Sequence, residues 1–405
     1  MNITDKFVHI SQFLQKHHAI WSENPFYNKT LSWESSLPSI STYLRKLPPE
    51  FIEQFELDPL NLPNKPPRLE RIFSTLQKLA WLDSHPHTET PFHPFDKKKI
   101  KQRKFQQIHA FATRASKQVT PTHGIVDWCS GKGHLGRMLG KWYSKSVTAF
   151  ELQQKLCLQG QRLANAAGVQ IHFQQADLLV EKPTLPKNQC VVGLHACGDL
   201  TDKAIETVIL NEASLAISPC CYHSIKTTEY LPKSNLGQKW NLHLDKKQLR
   251  LPSAFEVVAT EKQKQERRQE IVYRLGFDWL LQKHTGTKEY TSFPPVQTKL
   301  ISGSFVNFCT AMMKRHNITL PSFDPDTAQK EGHQKAQLFR SLSMIRTPFR
   351  RLIEVWLVLD KALWLKDNGW ECQVATFCQQ SLTPRNILIV ATPSKMPHKI
   401  PICND

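Results

Sequence analysis

With 405 residues and 40% hydrophobic content, the chain is long enough for two or three structural units around a sizeable core. Its net charge of +18 and pI near 9.5 point to an anionic partner, RNA or DNA ahead of a membrane surface. No apolar stretch approaches the ~20 residues with which a helix spans a bilayer, and no membrane partner is expected. Met1-Asn2-Ile3-Thr4-Asp5-Lys6 lacks the basic-then-apolar start of a secretory signal, and the ten cysteines are unevenly spaced. A cytoplasmic protein with reduced thiols is therefore expected.

Residues 1–95 read as a helical N-terminal domain. Phe7, Ile10, Phe13 and Leu14 fall on one helical face, with Thr4 or Asp5 as the expected cap. Ile40, Tyr43, Leu44 and Leu47 form a second face. Leu69, Ile72, Phe73, Leu76, Leu79 and Leu82 form a third. Leu62-Pro63-Asn64-Lys65-Pro66-Pro67 breaks the pattern between them. This part is either a substrate-binding module or a structural cap.

Residues 96–105 carry six basic residues and one acid, Asp96, which can cap a helix running through Ile108 and Phe111. The run leads into the stretch Gly124-Ile-Val-Asp127-Trp-Cys-Ser-Gly131-Lys-Gly133-His-Leu-Gly136. A short buried strand, a glycine loop and a helix in that order make a nucleotide-binding turn. Gly131-Lys-Gly-His-Leu-Gly136 also satisfies the dinucleotide pattern, which keeps an NAD-dependent oxidoreductase open as an alternative. Asp127 opposes it, because a carboxylate beside the glycines repels a pyrophosphate and welcomes a cation. S-adenosylmethionine carries an ammonium and a sulfonium. Asp127-x-x-x-Gly131-x-Gly133 resembles the first motif of class I S-adenosylmethionine-dependent methyltransferases, departing at Cys129, where a further glycine is usual.

Strand and helix then alternate. Strands are expected at 146–150, 169–173, 191–194 and 215–218, with helices at 156–167 and 201–210. Glu151 ends the second strand, where an acid can accept from ribose hydroxyls. Asp177 follows the third, a place for a group that accepts from an adenine amine. His195-Ala-Cys197-Gly-Asp199 follows the fourth strand, and Pro219-Cys220-Cys221-Tyr222-His223 the fifth. Neighbouring parallel strands bring both stretches to one sheet edge. His195, His223 or Asp199 can take a proton, Tyr222 can stack a base, and Cys220 or Cys197 can attack a pyrimidine ring. The Cys/His spacing fits no usual zinc motif, and no metal is expected.

Residues 226–340 read as an insertion, with a long helix over 251–281. A helix at 345–363 and strands at 370–377 and 387–391 close the domain near 395, with Arg385-Asn386 in the turn between the two strands and a loose tail over 396–405. The expected fold is α/β: a Rossmann-like class I methyltransferase, mostly parallel with an antiparallel final strand, plus a helical N-terminal extension.

Asp127-Trp-Cys-Ser-Gly-Lys-Gly-His-Leu-Gly136, Leu194-His-Ala-Cys-Gly-Asp-Leu-Thr-Asp202 and Ser218-Pro-Cys-Cys-Tyr-His223 together resemble one methyltransferase family. It includes the methyltransferase domain of the glutathione S-transferase C-terminal domain-containing protein. More distantly the chain is similar to the tRNA 2′-O-methyltransferase of the acceptor stem. Lys98-Lys99 and Thr383-Pro-Arg-Asn386 fit the same pattern. The resemblance covers about residues 95–395 and implies S-adenosylmethionine as cofactor, with an RNA acceptor such as tRNA or rRNA. Asp127, Gly131, Gly133, Glu151 and Asp177 are the expected cofactor residues. His195, Cys220, Tyr222 and His223 are expected to face the acceptor. A protein or small-molecule acceptor, and a non-catalytic RNA-binding role on the same fold, stay open beside this reading.

Overall fold

A computed structural model describes residues 1–28, 30–83, 100–116, 124–252, 260–287 and 289–394. Asp96, Lys98, Lys99 and the tail over 396–405 lie outside the described residues. Seven strands form one sheet: β1 Gly124–Asp127, β2 Val147–Glu151, β3 Ile171–Gln175, β4 Gln189–Cys197, β5 Ser214–Cys220, β6 Trp370–Thr376 and β7 Ile387–Pro393. Their order is β3-β2-β1-β4-β5-β7-β6. β1 to β5 run parallel, and β7 lies antiparallel between β5 and β6. The expected mostly parallel sheet with an antiparallel end is thus present.

The apolar strands are covered by helices, as a parallel sheet requires. Every residue of β1 is buried. The Gln102–Ser116 and His134–Tyr143 helices place Phe105, Ile108, Phe111, Leu135, Met138 and Leu139 in a core with Ile125, Val147, Ala216 and Val390. Gly136 lets the second helix close on the sheet: a Cβ there would stand 2.9 Å from both Asp127 Oδ2 and Val147 Cγ1.

β4 and β5 run further than expected. His195, Ala196 and Cys197 belong to β4, and Pro219 and Cys220 to β5. The extension passes through an irregularity between Leu194 and Ala196, where His195 takes a left-handed φ of 68°. Such a bulge adds one residue without ending the pairing, and period-two patterning cannot register it.

The chain divides into two compact units. One comprises residues 1–15, 79–255 and 351–405 and contains the sheet; the other comprises residues 16–78 and 256–350. The helical N-terminal segment is therefore split. The Ile3–Lys16 helix belongs almost wholly with the sheet unit. There Phe7 stacks on Trp356 at 5.3 Å, and Trp356 Nε1 donates to Ser11 Oγ at 2.9 Å. Its cap is Asn2, whose side chain accepts from the Asp5 amide at 2.8 Å, so neither Thr4 nor Asp5 fills that role.

In the second unit the Glu261–Thr285 and Pro325–Arg346 helices cross closely. A Cβ at Gly332 would fall 2.5 Å from the Val272 carbonyl oxygen, so glycine sets that approach. Phe277, Phe308, Tyr273 and Met312 form the core beside the crossing. No helix among the described residues is long and apolar enough to cross a membrane.

Candidate active site

The carboxyl ends of β1 to β5 share one edge, because the strands are parallel and adjacent. Its first half is the loop from Asp127 to His134. Cys129, Gly131 and Gly133 all take positive φ, of 55°, 58° and 63°. At Gly131 no atom lies within 4 Å of where a Cβ would stand, so the backbone conformation alone calls for glycine. At Gly133 a Cβ would also meet Phe173 Cζ at 2.6 Å.

Two carboxylates hold this loop. Asp127 Oδ2 accepts from the Gly136 amide at 2.9 Å. Burial pushes the Asp127 carboxyl up to about 7, opposed by that amide and by the charge of Lys104. Glu151 Oε2 accepts from the Gly131 amide and Oε1 from the Gln153 amide, both at 2.9 Å. Each oxygen keeps a second lone pair for a ligand. Ser130 Oγ is buried with no hydrogen-bond partner. Asp177 is half-buried beyond β3, and its Oδ1 accepts from the Leu179 amide at 3.0 Å. Left-handed glycines, an orphaned hydroxyl and acids at two strand ends suit a ligand with hydroxyls and positive charge.

The second half lies at β4 and β5. His195 Nε2 is 3.3 Å from Gln107 Oε1. Gln107 Nε2 donates to the Leu382 carbonyl at 3.0 Å, which turns its amide oxygen toward the ring. A carbonyl oxygen only accepts, so the ring proton is assigned to Nε2 and the lone pair to Nδ1. Nδ1 is buried and has no hydrogen-bond partner. Burial, then the charge of Arg385, pulls His195 down to about 4, keeping the ring neutral at physiological pH.

Cys197 Sγ and Cys220 Sγ are 3.2 Å apart, and Cys221 Sγ lies within 4.8 Å of both. Cys220 is buried, and its hydrogen bonds with Cys197 and Cys221, then burial, drive its thiol upward. It is thus neither exposed nor ionised, as attack on a pyrimidine demands. Hydrogen bonds from Cys197 and Cys220 instead pull the half-buried Cys221 down. Tyr222 is buried as well; its hydroxyl is 3.3 Å from Glu354 Oε1, and Glu354 pairs with Arg351 at 2.6 Å. The expected base-stacking role of Tyr222 does not fit this placement. Its ring is instead an anchor for the turn. His223 follows with a buried Nδ1 that lacks a partner. Asp199, the other acid of this edge, accepts from the Lys226 amide at 2.8 Å and serves the turn.

The sequence patterns therefore bring His195, Cys220, Cys221 and His223 to one edge but miss Gln107 and the approach of the Cys221 sulfur to Cys197 and Cys220. Gln107 carries no motif; only the folded Gln102–Ser116 helix brings it to His195. Cys221 is obscured because adjacent strand residues normally face opposite ways, whereas its φ of 44° turns it back. Arg351 Nη2 donates to Asn386 Oδ1 at 2.8 Å, and Asn386 is buried, so this residue of the β6–β7 turn is a structural tie.

Residues 98–228 match a family model described as a methyltransferase domain. With the strand order above, the fold is a Rossmann-like class I methyltransferase fold. The glutathione S-transferase C-terminal domain-containing protein of Xenopus laevis is 32% identical over 165 residues, covering 40% of this chain and 26% of that protein. Its Homo sapiens counterpart is 36% identical over 141 residues, covering 34% and 22%. The chain thus spans about a quarter of the length of these relatives. Among solved structures, the tRNA (uracil-54, C5)-methyltransferase of Pyrococcus abyssi, in complex with S-adenosyl-L-homocysteine, is 18% identical over 28% of each chain. Its TM-score of 0.24 is too low to bear on function.

Proposed function

We propose that this chain is an S-adenosylmethionine-dependent methyltransferase with a tRNA or rRNA acceptor. The observation that carries the reading is a juxtaposition. A carboxylate-held glycine loop ends β1, and His195, with a bare Nδ1, stands near the end of the adjacent β4. Asp127, Gly131, Gly133, Glu151 and Asp177 are the residues that hold the cofactor. Asp127 complements positive charge, and the free lone pairs of Glu151 accept from ribose hydroxyls. When bound, the cofactor supplies an electrophilic methyl group on a sulfonium.

The chain's own part in the chemistry is at His195. An acceptor oxygen or amine that took the methyl group, in exchange for the sulfonium C–S bond, would carry a proton that becomes acidic and must leave. Nδ1 of His195, held as an acceptor by Gln107, takes that proton. The thiol arrangement favours this route over a cysteine adduct at C5, because Cys220 is enclosed.

RNA is favoured by the charge of +18 and by where part of it lies. Lys101, Arg103 and Lys104 are exposed at the start of the Gln102–Ser116 helix. The field of Lys104 reaches both Asp127 and His195. Cations at the mouth of the site suit a phosphate backbone. A cytoplasmic setting suits the unpaired thiols.

The test is incubation with methyl-tritiated S-adenosylmethionine and total RNA from cells lacking the gene. Label in an RNA size fraction is expected, and nucleoside analysis then identifies the acceptor atom. Label in protein or small molecules alone overturns the RNA assignment.

A further inference from the structure

The ends of β4 and β5 carry three sulfurs that methyl transfer through His195 does not use. We propose that Cys197, Cys220 and Cys221 bind one zinc ion. Their Sγ atoms all lie within 4.8 Å of one another, with Cys197 and Cys220 at 3.2 Å. Zinc thiolates have bonds of about 2.3 Å, which puts tetrahedral sulfurs about 3.8 Å apart. The Cys197–Cys220 pair is shorter than that spacing and no pair exceeds 4.8 Å, so modest side-chain adjustment closes the trio around an ion.

The backbone builds this cluster against the ordinary behaviour of strands. Cys197 and Cys220 are register partners across β4 and β5. The bulge at His195 precedes Cys197 by two residues. Cys220 and Cys221 would face opposite ways in extended chain; the left-handed φ of 44° at Cys221 brings its sulfur to the same side. The turns after the two strands are then stitched together. Gly198 N donates to the Cys220 carbonyl at 3.0 Å and Asp199 N to the Ser224 carbonyl at 3.2 Å. A Cβ at Gly198 would fall 1.9 Å from the Ser224 oxygen, so only glycine permits this closure.

A second observation comes from the same turn. His223, two residues after Cys221, has a buried Nδ1 with no hydrogen-bond partner. Buried ring nitrogens are normally satisfied, and a metal or its bound water satisfies one well. The sulfurs supply three ligands and leave the fourth position to water, as at three-ligand zinc sites; no ring nitrogen of His223 lies within 4.8 Å of all three sulfurs, so the ring meets the ion through that water. Adjacent cysteines hide this set from spacing rules, which is why no metal is expected from the motif. The ion would tie the end of β4 to the turn after β5, and binding would release the thiol protons to solvent.

The test is metal binding by the full chain in reducing, chelator-free buffer, and it does not depend on methyl transfer. Elemental analysis and titration against a chromophoric chelator should give one zinc per chain. Cobalt substitution should give the thiolate charge-transfer absorption and intense tetrahedral bands. Cys197→Ser, Cys220→Ser and Cys221→Ser should each weaken zinc at least about a hundredfold, more than loss of an outer partner costs. Cys309→Ser, in the helical unit, should not. Cys221 is the least enclosed on the β5 side and offers the variant safest for folding, with thermal unfolding as the check. No stoichiometric zinc in the unsubstituted chain overturns the proposal, as does a cobalt spectrum that survives all three substitutions together.

Discussion

The two halves of the sheet edge are built on opposite plans. At β1 and β2 the carboxylates are satisfied by backbone: Asp127 by Gly136, and Glu151 by Gly131 and Gln153. At β4 and β5 the polar groups are left wanting. His195 and His223 each present a bare, buried Nδ1; His195 and Cys221 hold left-handed backbone without being glycine, a feature shared in the first half by Cys129, next to the partnerless Ser130 Oγ. Such conformations cost on the order of 1–3 kcal/mol each and persist where the surrounding structure imposes them. The first half has its carboxylates tied to backbone amides, and the second keeps ring nitrogens buried and unpartnered. Binding and chemistry should therefore separate cleanly when either half is altered.

The largest effect should come from His195→Ala. Methyl transfer should fall by about 10²–10⁴-fold, the usual share of a proton acceptor, while S-adenosylhomocysteine affinity by calorimetry stays unchanged. A joint loss of both would merge the two halves. Glu151→Ala should do the reverse. It removes the clamp on the glycine loop and the ribose acceptor together, so affinity should fall about 100-fold, or about 2–3 kcal/mol for buried charge-assisted bonds. Gln107→Leu should sharpen the acceptor side. Without its carbonyl the His195 tautomer is no longer selected, and single-turnover transfer should slow about tenfold, on the order of one lost oriented hydrogen bond, with binding unaltered.

The smallest effect is a pH dependence. Asp127 ionises at the ordinary 3.8 when unfolded and at about 7 when folded. The folded chain then holds an extra proton between those values, so this group's contribution to stability declines as pH rises through that window. A cationic ligand favours the ionised carboxylate, so S-adenosylhomocysteine, through its ammonium, should bind more tightly as pH rises through about 7. Asp127→Asn should flatten both profiles, which calorimetry and thermal unfolding across pH would show.

The glycine-loop half was legible from the amino-acid order because its signals are local. Glycines at 131 and 133 announce left-handed turns, and Asp127 and Glu151 stand where apolar runs stop. The β4–β5 half was legible only as a collection of residue types. Whether Tyr222 faced solvent depended on Glu354, 132 residues away. The reach of β4 to Cys197 depended on a bulge, and the approach of Cys221 on one dihedral angle. The partition of the helices depended equally on distant partners: residues 1–15 go with the sheet, and residues 16–78 join residues 256–350. Periodicity predicts which face of a helix is apolar, as at Phe7, Ile10 and Leu14, but not which surface receives it.

The central claim is that the glycine loop serves a cationic sulfonium cofactor and not a dinucleotide. Parallel calorimetric titrations with S-adenosylhomocysteine and with NADH test it most directly. One S-adenosylhomocysteine should bind per chain, about 100-fold more weakly in Glu151→Ala, with no heat from NADH. Saturable NADH binding with none for S-adenosylhomocysteine would contradict it.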